Sequence, residues 1–113
     1  MNVLVSEMRR MAPSVSRGTP VVYLLRLQSA GIYIGASTDL EQRLTDHMSG
    51  QACRTTQLDR PTDLIRVEIQ DTFTNARARE AQLKRWSRSK KEALVLGDLD
   101  RLRALSQPRI NTK

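Results

Sequence analysis

Gly31-Ile32-Tyr33-Ile34-Gly35-Ala36-Ser37-Thr38-Asp39-Leu40-Glu41-Gln42-Arg43-Leu44-Thr45-Asp46-His47 compresses a strand, a turn and a helix into one short segment. Ile32-Tyr33-Ile34 is an apolar, aromatic run suited to a pleated strand. Gly35 breaks that run. Thr38 followed three residues later by Glu41 has the spacing of a capping box and predicts a helix start. On that helix Leu40 and Leu44 share one stripe, and Arg43 and His47 share another at i,i+4. A tyrosine, an arginine and a histidine are thereby gathered near one another, a set suited to handling phosphate.

Upstream, residues 21–27 read Val-Val-Tyr-Leu-Leu-Arg-Leu, a β-rich run of strand length. Residues 28–31 are a hairpin loop in this reading, and 32–34 are the return strand, which puts Tyr23 and Tyr33 on adjacent antiparallel strands. Downstream, the helix is expected over 39–49, with Gly50 as its stop. Residues 51–62 lack a period and contain Pro61, so they read as loop. Residues 64–69 alternate as a third strand. Helices are expected over 75–87, with Ala76, Leu83 and Trp86 toward a core, and over 90–96, capped by Ser89 with Glu92 and ended by Gly97. Leu99, Leu102 and Leu105 suggest one more. Residues 1–18 read as a flexible lead-in, with a short helix over 3–11 possible, and 106–113 as a polar tail. The domain is then 19–105, an α+β fold with a three-stranded antiparallel sheet flanked by helices.

The chain has 113 residues, enough for one domain with a modest core. Nineteen Lys and Arg against twelve Asp and Glu leave a formal charge of +7. A small domain this basic suits an acidic partner, and nucleic acid leads the candidates. The cations cluster: Arg77, Arg79, Lys84, Arg85, Arg88, Lys90 and Lys91 fall in one short run. No apolar run approaches the roughly 18 to 20 residues that cross a bilayer. Glu7, Arg9 and Arg10 interrupt any secretory core, so a cytoplasmic protein is expected, without a membrane or an obligate protein partner. Cys53 stands alone, which excludes an internal disulfide and a cysteine zinc cage.

Each candidate residue has an ordinary reading beside a chemical one. Glu80 has the spacing for an i,i+4 ion pair with Lys84, yet one carboxylate also suffices for a Mg²⁺ or Mn²⁺ ion that keeps most of its waters. Tyr23 and Tyr33 are expected to pack in a core. As bases they need a neighbouring cation, because only about one phenol in a thousand is ionised at neutral pH. Arg43 is either a solvated helix residue or a fork that matches phosphate. His47 suits proton transfer, capping or the surface.

The joint spacing is more specific. Tyr23, then Tyr33-Ile34-Gly35, then Arg43 and His47, then Glu80 within Arg79-Glu80-Ala81-Gln82-Leu83-Lys84-Arg85-Trp86 resembles the GIY-YIG endonuclease superfamily, most closely its small single-domain bacterial branch. The resemblance covers about residues 20–96. Tyr23 matches the tyrosine of the first half-motif, although Val21-Val22 precede it instead of Gly-Ile. Tyr33 and Gly35 match the second half-motif, Arg43 the helix arginine, His47 the histidine one turn later and Glu80 the metal-binding glutamate. Ala36 stands where the nuclease half of the bacterial excision-repair enzyme has a lysine. Thr55-Thr56 stand where small members often have Tyr-Thr.

The resemblance implies a metal-dependent DNA endonuclease. Glu80 would hold one Mg²⁺ or Mn²⁺ ion, Tyr33 would orient or deprotonate the attacking water with help from Tyr23, and Arg43 would stabilise the transition state. His47 is a secondary candidate for proton transfer. The rival is a non-catalytic nucleic-acid-binding module on the same fold. Weak sequence specificity and a preference for single-stranded or branched DNA are expected, because little lies outside the core. Lys84, Arg88 and Lys91 are the expected DNA track, with Arg54, Arg60 and Arg66 as the alternative path. Trp86 falls on the Leu83 stripe and is read as core.

Overall fold

Strand β1 (Val21–Leu27) is apolar at every position but Arg26 because both of its faces are covered. It is the middle of a three-stranded antiparallel sheet in the order β2-β1-β3, with β2 at Ile32–Ser37 and β3 at Pro61–Ile69. This computed structural model describes residues 15–106; the helix expected over 3–11 and nearly all of the tail lie outside them. Tyr23 pairs with Gly35 across the strands, and Leu25 with Tyr33. The register therefore sets both tyrosines on one face of the sheet.

Gly35 does not end β2. The strand continues through Ala36 and Ser37, and the glycine has a different task, described with the site below. β3 begins three residues before its alternating run. Pro61 opens it on an edge, where a missing N–H costs no ladder bond.

The helices are α1 (Leu40–Ser49), α2 (Arg54–Leu58), α3 (Phe73–Lys84), α4 (Arg88–Leu96) and α5 (Leu99–Ser106). Asp39, not Thr38, caps α1, its carboxylate accepting from the Gln42 N–H. The carbonyl of Thr38 is engaged by the Gly18 N–H, and Ser37 Oγ accepts from the Asp39 N–H, so the chain turns one residue later than the capping box implied. Ser87, not Ser89, caps α4. Thr72 caps α3, which starts two residues earlier than its apolar pattern and ends at Lys84. Gly50 and Gly97 take left-handed conformations just past α1 and α4, as expected.

α2 corrects the loop read over 51–62. A five-residue helix is too short to show a period. It is held from outside: Thr56 is fully buried, Gln57 Nε2 donates to the Gly50 carbonyl, and Arg60 Nη2 donates to the Met48 carbonyl.

Two cores flank the sheet. Val21, Tyr23, Leu25 and Leu64 meet Leu40 and Leu44 of α1 on one face. Val22, Leu24 and Ile34 meet Ala76, Leu83 and Leu94 on the other, with Trp86 and Leu102 packed against them. Leu99 and Leu105 of α5 are exposed, so only Leu102 of that leucine set is used. Truncating Leu44 or Leu83 to Ala would cost about 2–5 kcal/mol. No described helix is long and apolar enough to cross a membrane.

Candidate active site

The alternation of β1 sends Tyr23 toward α1, where its residue is only 1% exposed. Its Oη lies 2.7 Å from His47 Nε2. Directly across the strand is Gly35. A Cβ there would fall on Tyr23 Oη and stand 2.5 Å from its Cζ. The tyrosine ring thus lies flat over the β2 backbone, and only a residue without a side chain leaves room for it.

Tyr33 completes a cluster of three rings. Its centroid is 6.4 Å from that of Tyr23 and 5.0 Å from that of His47, with the imidazole edge-on to both tyrosines. Tyr33 is half-buried, so of the two phenols it is the one open to solvent. Arg43, one turn before His47 on α1, reaches the same cluster beside the Tyr23 hydroxyl, with Asp46 Oδ2 at 3.5 Å from its Nη1.

His47 is fully buried, not a surface or capping residue. Its Nδ1 lies 2.9 Å from Thr56 Oγ1 on α2. Thr56 was legible in the sequence only as half of a departure from a Tyr-Thr pair. Its burial against a histidine nine residues earlier left no local signal. Both imidazole nitrogens are occupied, so His47 is no metal ligand here.

Electrostatics sharpen the picture. Burial pushes the Tyr23 hydroxyl up to about 12, against the pull of the Arg43 guanidinium. At that value only about one part in 10⁵ ionises at pH 7. Burial likewise raises Tyr33, reinforced by Tyr23 and by the Cys53 thiol beside it. Both tyrosines are neutral hydrogen-bonding groups in the free protein. Burial, then Arg43, lowers His47 to about 4, with Asp46 opposing, so the imidazole is neutral at pH 7. Burial raises the Cys53 thiol, but hydrogen bonds involving Thr56, Tyr33 and the Thr55 amide outweigh it and leave it below its ordinary value.

Glu80 approaches from α3, which packs along β1 and β2. Its charge is felt at Tyr23, where it raises the hydroxyl further. Arg77 Nε lies 3.3 Å from one carboxylate oxygen and Lys84 Nζ 3.0 Å from the other. Among the described residues no three His, Cys, Asp or Glu side chains gather in one place. A hard cation at this site would take Glu80 as its protein ligand and otherwise keep waters and phosphate oxygens, the habit of Mg²⁺. A lone carboxylate fits that chemistry once Arg77 and Lys84, which pair with its two oxygens, release it.

The residues of the expected DNA track have different local partners. Lys84 stands at the site through Glu80. Arg88 donates to the Ala30 carbonyl in the β1–β2 turn and lies 3.7 Å from Glu92. Lys91 is half-buried on α4. Of the alternative path, Arg66 pairs with Glu68, Arg60 is tied to the Met48 carbonyl, and Arg54 is exposed at the start of α2. Trp86 is half-buried against the second core under Arg79 and Lys90, as the core reading has it.

The sequence profile of the GIY-YIG catalytic domain matches residues 19–93. A UPF0213 protein of Staphylococcus saprophyticus is 34% identical over 74 residues, which cover 66% of this chain and 90% of the relative. One from Syntrophus aciditrophicus is 33% identical over 82 residues, covering 72% and 94%. Among solved structures, the solution NMR structure of the UPF0213 protein BH0048 from Bacillus halodurans has 29% sequence identity and a TM-score of 0.47. It covers 80% of this chain and 99% of that one.

Proposed function

Since the chain belongs to the GIY-YIG nuclease family, we propose that it is a divalent-metal-dependent endonuclease that hydrolyses DNA phosphodiester bonds. The observation that carries this reading is the convergence of Tyr23, Tyr33, Arg43 and His47 in one cluster, with the charge of Glu80 acting on it. Four polar residues from two strands and one helix meet there, although packing alone would favour apolar side chains.

In this mechanism Glu80 would hold the cation, Mg²⁺ or Mn²⁺, which when bound would supply charge stabilisation at the scissile phosphate. Arg43 presents a planar set of donors to the phosphate as negative charge builds on its oxygens. Tyr33, the open phenol, orients the attacking water. It does so as a neutral group, and its ionisation to a base depends on a facing cation, of which Arg43 is the resident one. Tyr23 and His47 hold the floor of the site. The substrate is single-stranded or branched DNA with weak sequence preference, and the protein is cytoplasmic.

The pairing of both Glu80 oxygens with Arg77 and Lys84 favours a second reading, a nucleic-acid-binding module without turnover. One experiment separates them. Single-stranded, duplex, flapped and branched DNA of one sequence are incubated with wild type and Glu80→Ala, with and without chelator, while thermal melting is followed. The nuclease cleaves at least one substrate, stops in chelator, and loses cleavage but not its melting temperature in Glu80→Ala. Binding without cleavage across the panel supports the second reading. Undiminished turnover in Glu80→Ala removes it as metal ligand.

A further inference from the structure

We propose that Thr56 is a positioning residue of this site: it accepts a hydrogen bond from His47 Nδ1–H and so fixes the tautomer whose Nε2 accepts from the Tyr23 hydroxyl. The inference deepens the nuclease reading and rests on it for its catalytic consequence. Its structural half stands apart from any cleavage.

Three buried polar side chains form one line. Tyr23 Oη is 2.7 Å from His47 Nε2, His47 Nδ1 is 2.9 Å from Thr56 Oγ1, and Thr56 Oγ1 is 3.3 Å from the Cys53 carbonyl. Tyr23 is 1% exposed and the other two are fully buried, so water is not available to correct a mismatch. Each hydroxyl carries one hydrogen, and a neutral imidazole carries one on either nitrogen.

With the proton on Nδ1, every hydrogen finds an acceptor. Nδ1–H donates to Thr56, Thr56 donates to the Cys53 carbonyl, and Tyr23 donates to Nε2. That carbonyl already receives the Gln57 N–H at 3.1 Å and has a second lone pair for Thr56. With the proton on Nε2, the imidazole donates to Tyr23 and the tyrosine hydrogen is displaced. The Tyr23 hydroxyl is hydrogen-bonded to His47 and to the Arg43 guanidinium, and of these two only the imidazole can accept its hydrogen. Leaving a buried hydroxyl hydrogen without an acceptor is costly, so the first arrangement wins.

The consequence lies at Tyr23. Its hydrogen points into the protein, and its oxygen lone pairs face the Arg43 side of the cluster. The opposite tautomer turns a hydrogen toward the guanidinium and disturbs the group beside the phosphate clamp. Thr56 acts through His47 and Tyr23 and touches no substrate.

His47 is the only histidine in the sequence, so ¹⁵N-histidine labelling gives one imidazole spectrum. At pH 7.5 the free wild-type protein is expected to show a protonated Nδ1 and a bare Nε2. Thr56→Val removes the acceptor and moves the proton to Nε2, while Thr56→Ser keeps the wild-type pattern. In cleavage assays Thr56→Val lowers kcat by about 10- to 100-fold, the scale typical of outer-shell partners, with little change in KM, and Thr56→Ser restores it. A wild-type spectrum with Nε2 protonated overturns the proposal even if Thr56→Val does not fold. So does a folded Thr56→Val that keeps Nδ1–H. Absence of cleavage in every variant rejects the nuclease reading, and the spectra then decide the tautomer assignment by themselves.

Discussion

Acid should destabilise this protein in two separable stages, and the first belongs to His47. The imidazole is fully buried between Tyr23 and Thr56, and its folded value of about 4 lies well below the ordinary 6.5. The groups facing it are Tyr23 and Tyr33 from the sheet, Arg43 and Asp46 from its own helix, and Thr56 from α2; Arg43 disfavours the imidazolium and Asp46 favours it. Between the two values the unfolded chain binds a proton that the folded one refuses. Stability is therefore complete above pH 6.5 and falls as the pH drops toward 4. The limiting loss is about 3 kcal/mol, and about 2 kcal/mol is already gone at pH 5. Against the 5–15 kcal/mol of an ordinary domain this is easily measured. Glu92, lowered chiefly by its hydrogen bond to Arg26, adds its share only below about 4.5. Glu68, raised by burial but lowered more by Arg79 and Arg66, does the same. Urea unfolding from pH 7.5 to 5 thus isolates the histidine, and His47→Gln should flatten the curve across that window. A flat wild-type curve, or an NMR titration of His47 near 6.5, would refute the burial argument.

Gly35→Ala should lower stability by about 1–3 kcal/mol and abolish cleavage, because the new Cβ meets the Tyr23 ring and must push it off His47; melting and activity like wild type would contradict the packing described. Tyr33→Phe and Arg43→Ala should each reduce turnover by about 10²-fold with far smaller changes in DNA affinity, and equal losses in both would reject their catalytic roles. Charge reversal at Lys84, Arg88 and Lys91 should weaken binding and flatten its salt dependence by roughly 0.7 per lost phosphate contact on single strands. An unchanged slope moves the DNA path to Arg54, Arg60 and Arg66.

Where a period spans a whole element, the sequence was enough. β1 and the stripes of α1 and α3 declare themselves because burial repeats at the spacing of the backbone. Caps were less legible. Thr38 offered a suitable spacing, but its carbonyl was already committed to Gly18, a contact with a residue outside the helix. α2 could not be read at all, since its anchors are Gly50, Met48 and His47. The same blindness hid the best-buried part of the site. His47 and Thr56 are both polar, and nothing local says that they meet in the core.

The departure at Ala36 changes meaning once the strand is drawn. A lysine after the second half-motif would serve as a cation for the Tyr33 phenol only if it started on the phenol's face of the sheet. Alternation puts Tyr33 and Gly35 on the α1 face and Ile34 and Ala36 on the other, where Ala36 packs against the second core with Ala76 and Leu83. A side chain at 36 therefore starts on the α3 side of the sheet, the side from which Glu80 comes. The loss bears on the charge around the carboxylate more than on the phenol. That region already holds Arg77 and Lys84, both on α3 and both paired with Glu80. The tyrosines keep Arg43 as their facing cation whatever stands at 36. Ala36→Lys should accordingly shift the metal dependence of cleavage and leave the Tyr33→Phe defect as large as before.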